Sequence, residues 1–137
     1  MQTITLLVVL SSFLAQQPPA KLTVETIATP GSHGVVRIAL WRNATGFPKG
    51  QPFRSASVEM TDGKAVSTFG DLEPGAYAVS AYYDKNNNGK LDQNLVTKPT
   101  EPYGFSNDAR GTFGPPSFQE AQFALSQDGR TITVHLK

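Results

Sequence analysis

From Leu22 onward, apolar and polar residues alternate with a period of two, the pattern of strands that bury one face. Leu22 to Ile27 is predicted as a first strand and Val35 to Trp41 as a second, with Val36, Ile38 and Leu40 on one face and Arg37 on the other. Gly46, Pro48, Gly50 and Pro52 make Asn43 to Pro52 a loop. Ser55 to Met60 and Lys64 to Phe69 are expected to form a hairpin around Thr61-Asp62-Gly63, because Asp-Gly accepts the positive φ of a tight turn. Glu73-Pro74-Gly75 turns into the longest strand, Gly75 to Tyr83. Ala121 to Leu125 and Thr131 to Leu136, joined at Gln127-Asp128-Gly129, bring the total to about seven strands. Helical periodicity is confined to Ser117 to Gln122, where Ser117 is a cap and Glu120 follows three residues later. The pattern predicts an all-β, about seven-stranded antiparallel sandwich, immunoglobulin-like or transthyretin-like.

The alternation stops between Asp84 and Glu120. Connections longer than about 12–15 residues are uncommon in a compact domain, and are usually functional or disordered. Tyr103, Phe105, Phe113 and Phe118 give this stretch apolar surface to bury, so it is expected to be ordered and is the place to look for function.

Its first part carries the pattern D-x-[DN]-x-[DN]-G. Asp84, Asn86 and Asn88 place side-chain oxygens at alternate positions, Gly89 allows the sharp turn, Lys90 offers a backbone carbonyl, and Asp92 a further carboxylate. Alternate oxygens can converge on a hard cation, so calcium is the expected cofactor. An EF-hand has a bidentate Glu where this chain has Leu95, and a helix where this chain has a strand. The site is therefore not an EF-hand, and the missing carboxylate must come from elsewhere, Glu101 or Asp108. With two carboxylates in the motif, the affinity expected is weak, on the order of 0.1–1 mM. Asn86-Asn87-Asn88-Gly89 would also form Asx turns with no metal.

The second part, Tyr103 to Phe118, supports two readings. Tyr103, Phe105 and Phe113 would form an aromatic platform for a sugar or peptide, with Asn107 and Arg110 as polar contacts. Alternatively the aromatics seal the loop onto the sandwich while Arg110 pairs with Asp92 or Asp108.

Asp84…Asn86…Asn88-Gly89…Leu91-Asp92…Asn94, Tyr103-Gly104-Phe105-Ser106-Asn107 and Ala109-Arg110-Gly111…Phe113-Gly114-Pro115-Pro116…Phe118 together resemble exported bacterial proteins grouped as domain-of-unknown-function family 2141. Gly46-Phe47-Pro48 and Phe69…Leu72…Pro74-Gly75…Tyr77 fit the same family. The chain departs from it at Thr97-Lys98, where relatives carry Gly and an apolar residue. The resemblance implies export and a sandwich fold, and it implies no activity or substrate.

Composition narrows the rest. The chain has 137 residues, enough for one domain, and a net charge of +1 with scattered Lys and Arg, which argues against a nucleic-acid partner. It contains no Cys, which excludes disulfides, thiolate metal sites and a Cys nucleophile. His33 lies in a Gly-rich turn and His135 on an alternating polar face, so neither is expected to be catalytic. Ile4 to Ala15 is an uncharged apolar run followed by Gln16-Gln17-Pro18-Pro19. It is too short to span a bilayer, which needs about 20 residues, and reads as a signal peptide. Residues 1–20 are thus expected to be removed near 15–20, leaving a domain of residues 21–137 in the periplasm or outside the cell. The function expected is a non-enzymatic binding or accessory module, stabilised by calcium, with an envelope protein or glycan as partner. The alternatives are a hydrolase using loop carboxylates such as Asp92 and Glu101, and a structural envelope domain with a metal-free turn.

Overall fold

A computed structural model of the chain describes residues 18–89 and 101–137. The expected signal peptide falls almost wholly outside the described residues, as do Lys90 and Asp92. No described helix is long and apolar enough to cross a membrane.

The architecture is a two-sheet β-sandwich. Among the described residues, eight strands follow in the order β1 (Ala20–Ile27), β2 (Gly34–Trp41), β3 (Arg54–Met60), β4 (Lys64–Leu72), β5 (Gly75–Asp84), β6 (Tyr103–Phe105), β7 (Phe123–Leu125) and β8 (Arg130–His135). One sheet has the order β4-β1-β8 and the other β3-β2-β5-β6, with β7 also on β5. The inward positions fill a common core: Leu22 and Val24 of β1, Val36, Ile38 and Leu40 of β2, Phe69 of β4, Val79 and Ala81 of β5, and Val134 of β8. Each of these side chains larger than alanine contributes about 1.5–3 kcal/mol on full burial, which makes the alternation decisive for register.

Three features differ from the sequence expectation. The Asp-Gly turn is not the bend of a hairpin. β3 pairs with β2 and β4 pairs with β1, in different sheets, and only an isolated Thr61–Lys64 bridge joins them. Residues of the loop before β2 hold this corner. Gly63 N–H donates to the Ser32 carbonyl, Asp62 Oδ1 accepts from Gly31 N–H at 2.8 Å, and Ala28 N–H reaches the Gly63 carbonyl. Gly63 sits at φ +76, and a Cβ there would lie 2.7 Å from the Thr29 carbonyl oxygen, so two separate constraints demand glycine. The second difference is at β7 and β8, which also belong to different sheets. β8 runs parallel to β1, and every other strand pair among the described residues is antiparallel.

The third difference lies inside the expected long loop, which contains β6. The free edge of β5 is shared: Gly75 to Tyr77 pair with β7, and Ser80 to Tyr82 pair with β6. Between them Val79 N–H would be orphaned, and the buried Ser106 hydroxyl accepts it at 2.9 Å while donating to the Ala121 carbonyl at 2.5 Å. Tyr103 exchanges two backbone hydrogen bonds with Lys137, so β6 also joins the chain just beyond β8 and closes one side of the sandwich. Gly104 is required for this approach, since a Cβ there would stand 2.2 Å from the His135 carbonyl oxygen. The short helix α1 (Phe118–Ala121) has the expected capping box. Ser117 Oγ accepts from Glu120 N–H, and the Glu120 carboxylate from Ser117 N–H.

Candidate functional site

The outer face of the β2–β5 pair carries the residues singled out by the sequence. Arg37 stands towards one end and Trp41 at the other, which divides the face into a polar turn and an aromatic cluster.

The polar turn leaves β5 at Asp84. The Asp84 side chain has no solvent-exposed surface, being covered by its own turn. Its Oδ1 accepts from Asn88 N–H at 3.1 Å, and its Oδ2 accepts from Gly89 N–H at 2.8 Å and from Arg37 Nε–H at 3.1 Å. Asn86 Oδ1 accepts from Asn88 N–H at 3.3 Å, and Asn87 takes the positive φ of +52 that the reversal requires. Asn, with its short polar side chain, tolerates that region best after Gly. Burial pushes the Asp84 carboxyl upward, but the Gly89 N–H, the Arg37 guanidinium and the Asn88 N–H outweigh it and hold the pKa below the ordinary carboxylate range.

Glu101, on the returning leg, comes to the same turn. The N–H groups of Tyr83 and Lys85 point off β5 towards it. The Pro102 carbonyl takes the first at 2.8 Å, and the buried Glu101 carboxylate takes the second at 2.6 Å. Glu101 thus replaces a backbone carbonyl as the last rung of the ladder. Asp84 and Glu101 are two carboxylates at one loop mouth, with Asn86 and Asn88 between them in sequence. Among the described residues no group of three His, Asp or Glu side chains is arranged to hold a metal. The donor set is nevertheless all oxygen, which suits a hard cation. Among the described residues, Asp84 accepts three hydrogen bonds, two on Oδ2 and one on Oδ1.

Asp108, the other candidate for the carboxylate absent at Leu95, is engaged elsewhere. Its two oxygens lie 3.1 and 3.0 Å from His135 Nδ1, and Oδ1 also accepts from His135 N–H at 3.2 Å. Burial raises the Asp108 carboxyl, but the His135 ring and N–H outweigh this and lower it, with Lys137 adding to them. Asp108 and His135 are 27 positions apart, and the sequence pattern gave no sign of their pairing. Arg110, expected to pair with Asp92 or Asp108, lies on the same surface as Asp108, His135 and Lys137, while the Asp108 carboxylate faces the imidazole.

At the other end, the aromatic stretch forms a second core on the outer face. Phe47, from the loop after β2, stands edge-on to Trp41 at 5.4 Å, to Phe118 at 5.9 Å and to Phe105 at 6.0 Å, and Tyr103 meets Phe105 at 5.9 Å. Such edge-to-face pairs add about 0.5–1.5 kcal/mol each beyond burial. Asn107, at φ +61, uses its Nδ2 to tie down the Glu120 and Gln122 carbonyls. Phe105 is therefore core and Asn107 is a fastener. Phe113 is the exception, 100% exposed in the segment between Gly111 and Gly114.

Residues 23–133 match the model of domain-of-unknown-function family 2141, described as an uncharacterized protein conserved in bacteria. The match spans most of the chain, and the protein belongs to this family. No curated protein matches it.

Proposed function

We propose that this member of an uncharacterised bacterial family is an exported, non-enzymatic binding or accessory module. In this reading the turn after β5 holds a weak calcium ion, and the loop beyond it presents a contact surface to an envelope protein or glycan. The observation that carries it is the return of Glu101 to the turn that Asp84 opens, with Glu101 Oε2 accepting from Lys85 N–H at 2.6 Å. In this reading Glu101 supplies the carboxylate that the motif lacks at Leu95. Asp84, Asn86 and Asn88 would contribute side-chain oxygens, with the Lys90 carbonyl and Asp92 completing the set. Bound calcium would supply charge neutralisation and rigidity, and no reaction step depends on it.

For the contact surface, Phe113 is the fully exposed ring of the stretch, with Asn107 and Arg110 also exposed, while Tyr103, Phe105 and Phe118 pack against Phe47 and each other. Melting curves in chelator, in several millimolar calcium and in magnesium test the metal. A ligand at ten times its Kd stabilises by about 1.4 kcal/mol, which corresponds to a rise of roughly 3–8 °C in a domain of this size. Asp84→Ala and Glu101→Gln should each remove the rise. Identical curves in all three conditions would leave a metal-free Asx turn.

That second reading has an observation of its own. The Arg37 guanidinium already lies against Asp84, so the turn has a cation of its own. A purely structural envelope domain would need nothing more. The hydrolase reading gains only the Asp108–His135 pair, which orients an imidazole. Ester turnover that is lost in His135→Ala would favour it.

A further inference from the structure

We infer that Asn88 is a latent modification site, an asparagine open to spontaneous conversion into aspartate and isoaspartate that the Asp84 carboxylate holds in check while the turn is closed. Asn88-Gly89 is the one Asn-Gly pair in the chain. In such a pair the amide nitrogen of the glycine can attack the side-chain carbonyl carbon of the asparagine, because no side chain on the glycine shields that nitrogen. The nitrogen first gives up its proton to base. A bond then forms from Gly89 N to Asn88 Cγ, the Cγ–Nδ2 bond breaks, and the side-chain nitrogen leaves as ammonia. Water opens the resulting five-membered imide at either carbonyl, which leaves aspartate or isoaspartate. The only co-reactant is water, and Asn88 and Gly89 are both exposed to it. The inference rests on the turn itself and is independent of any metal.

Asn88 is flanked by two amides, and the two oxygens of one carboxylate take both. Asp84 Oδ1 accepts from Asn88 N–H at 3.1 Å, and Oδ2 accepts from Gly89 N–H at 2.8 Å. Attack needs the Gly89 nitrogen stripped of its proton and turned towards the Asn88 side chain. That proton lies in a hydrogen bond to a carboxylate, so removing it breaks a charge-assisted bond and leaves two negative charges in contact. The Asp84 side chain has no exposed surface, so water does not compete for its oxygens, and Arg37 Nε–H pairs its charge at 3.1 Å. Turning the Gly89 amide also disturbs the whole reversal, since Asn87 holds a φ of +52 and Gly89 one of +77. Conversion therefore waits for local opening of the turn. A hydrogen bond to a charged group slows a step that must break it by about tenfold to a hundredfold. Conversion adds a negative charge close to Asp84, and isoaspartate also inserts a methylene into the backbone, so a converted turn does not close again in the same form.

The test is mass spectrometry with peptide mapping after incubation of wild type and Asp84→Asn in mildly alkaline buffer, folded and in urea, with melting curves to verify folding. Asp84→Asn keeps the shape and removes the charge. In folded wild type Asn88 should convert at least about tenfold more slowly than in urea, and folded Asp84→Asn should lose about tenfold or more of that protection. Conversion of folded wild type at the urea rate overturns the inference, and so does folded Asp84→Asn that converts as slowly as wild type. Absence of conversion at Asn88 even in urea overturns the site itself. Hydrogen exchange of the wild type is a readout that does not depend on the variant folding. The Gly89 amide should exchange at least about tenfold more slowly than in the unfolded chain, and exchange at the unfolded rate overturns the inference.

Discussion

Replacing Ser106 with alanine removes one oxygen from the place where the free edge of β5 changes partners. The Ser106 hydroxyl is fully buried, accepts from Val79 N–H at 2.9 Å and donates to the Ala121 carbonyl at 2.5 Å. Alanine fits the space, so packing is nearly unchanged, but a backbone donor and a backbone acceptor lose their partner away from water. A buried unsatisfied group costs about 1–3 kcal/mol, and two give an expected loss of about 2–6 kcal/mol. At roughly 4 °C per kcal/mol for a domain of this size, the midpoint should fall by about 8–24 °C. Urea titration followed by tryptophan fluorescence measures the loss directly, because Trp41 lies in the aromatic cluster that α1 covers. An unchanged slope with a lower midpoint would assign the change to stability alone. Ser126→Ala, at an exposed turn, serves as control and should stay within about 0.5 kcal/mol. A loss below about 1 kcal/mol for Ser106→Ala would mean that the two groups find other partners, and that β6 and β7 are not joined through this hydroxyl.

Gly104→Ala puts a Cβ 2.2 Å from the His135 carbonyl oxygen, so β6 must leave β8. The expected cost is about 3 kcal/mol or more, read by urea titration or by loss of soluble expression. Acid should weaken the fold through Asp84 and Asp108, since both carboxyls are held below their ordinary range when folded. Their contribution is complete above the unfolded carboxylate pKa of about 4 and is lost as pH falls further through the folded values, so Asp84→Asn should flatten the acid limb of a stability–pH curve. Phe113→Ala should leave stability within about 0.5 kcal/mol, because the ring is fully exposed, while abolishing any glycan or envelope-protein binding seen in a pull-down or array.

Strand faces were legible because burial of alternate residues is local information. The inward set Val36, Ile38, Leu40 and the outward Arg37 of β2 appear as the alternation predicts. The capping box at Ser117 and Glu120 was legible for the same reason. Strand partnership was not. Thr61-Asp62-Gly63 has the composition of a hairpin turn, yet the choice between folding β4 onto β3 and carrying it to the other sheet depends on Ser32 and Gly31, which lie some thirty positions earlier and supply the turn's hydrogen-bond partners. Turn chemistry specifies a reversal of direction, and only long-range partners specify the sheet. β6 escaped notice because Tyr103-Gly104-Phe105 is too short to show a period, and its glycine answers to the His135 carbonyl rather than to a turn.

At the candidate site the same division applies, with a sharper consequence. The oxygens at Asp84, Asn86 and Asn88 follow from spacing, and so does the turn they build. Whether that turn binds a metal depends on the net charge around it, which is set by side chains from other strands. Arg37 arrives from β2 with one positive charge, and Glu101 from the returning leg with one negative charge. The motif taken alone has two carboxylates, Asp84 and Asp92, and would attract a cation. With the formal charges of Arg37 and Glu101 added the total is unchanged, but Arg37 touches Asp84 directly whereas Glu101 is turned towards the Lys85 amide. Proximity then favours the guanidinium at short range, so the local balance at Asp84 Oδ1 is less negative than the motif implies. The D-x-N-x-N-G segment leaving β5 thus specifies the turn, and the charge at its first aspartate is set by the residue that faces it from the neighbouring strand.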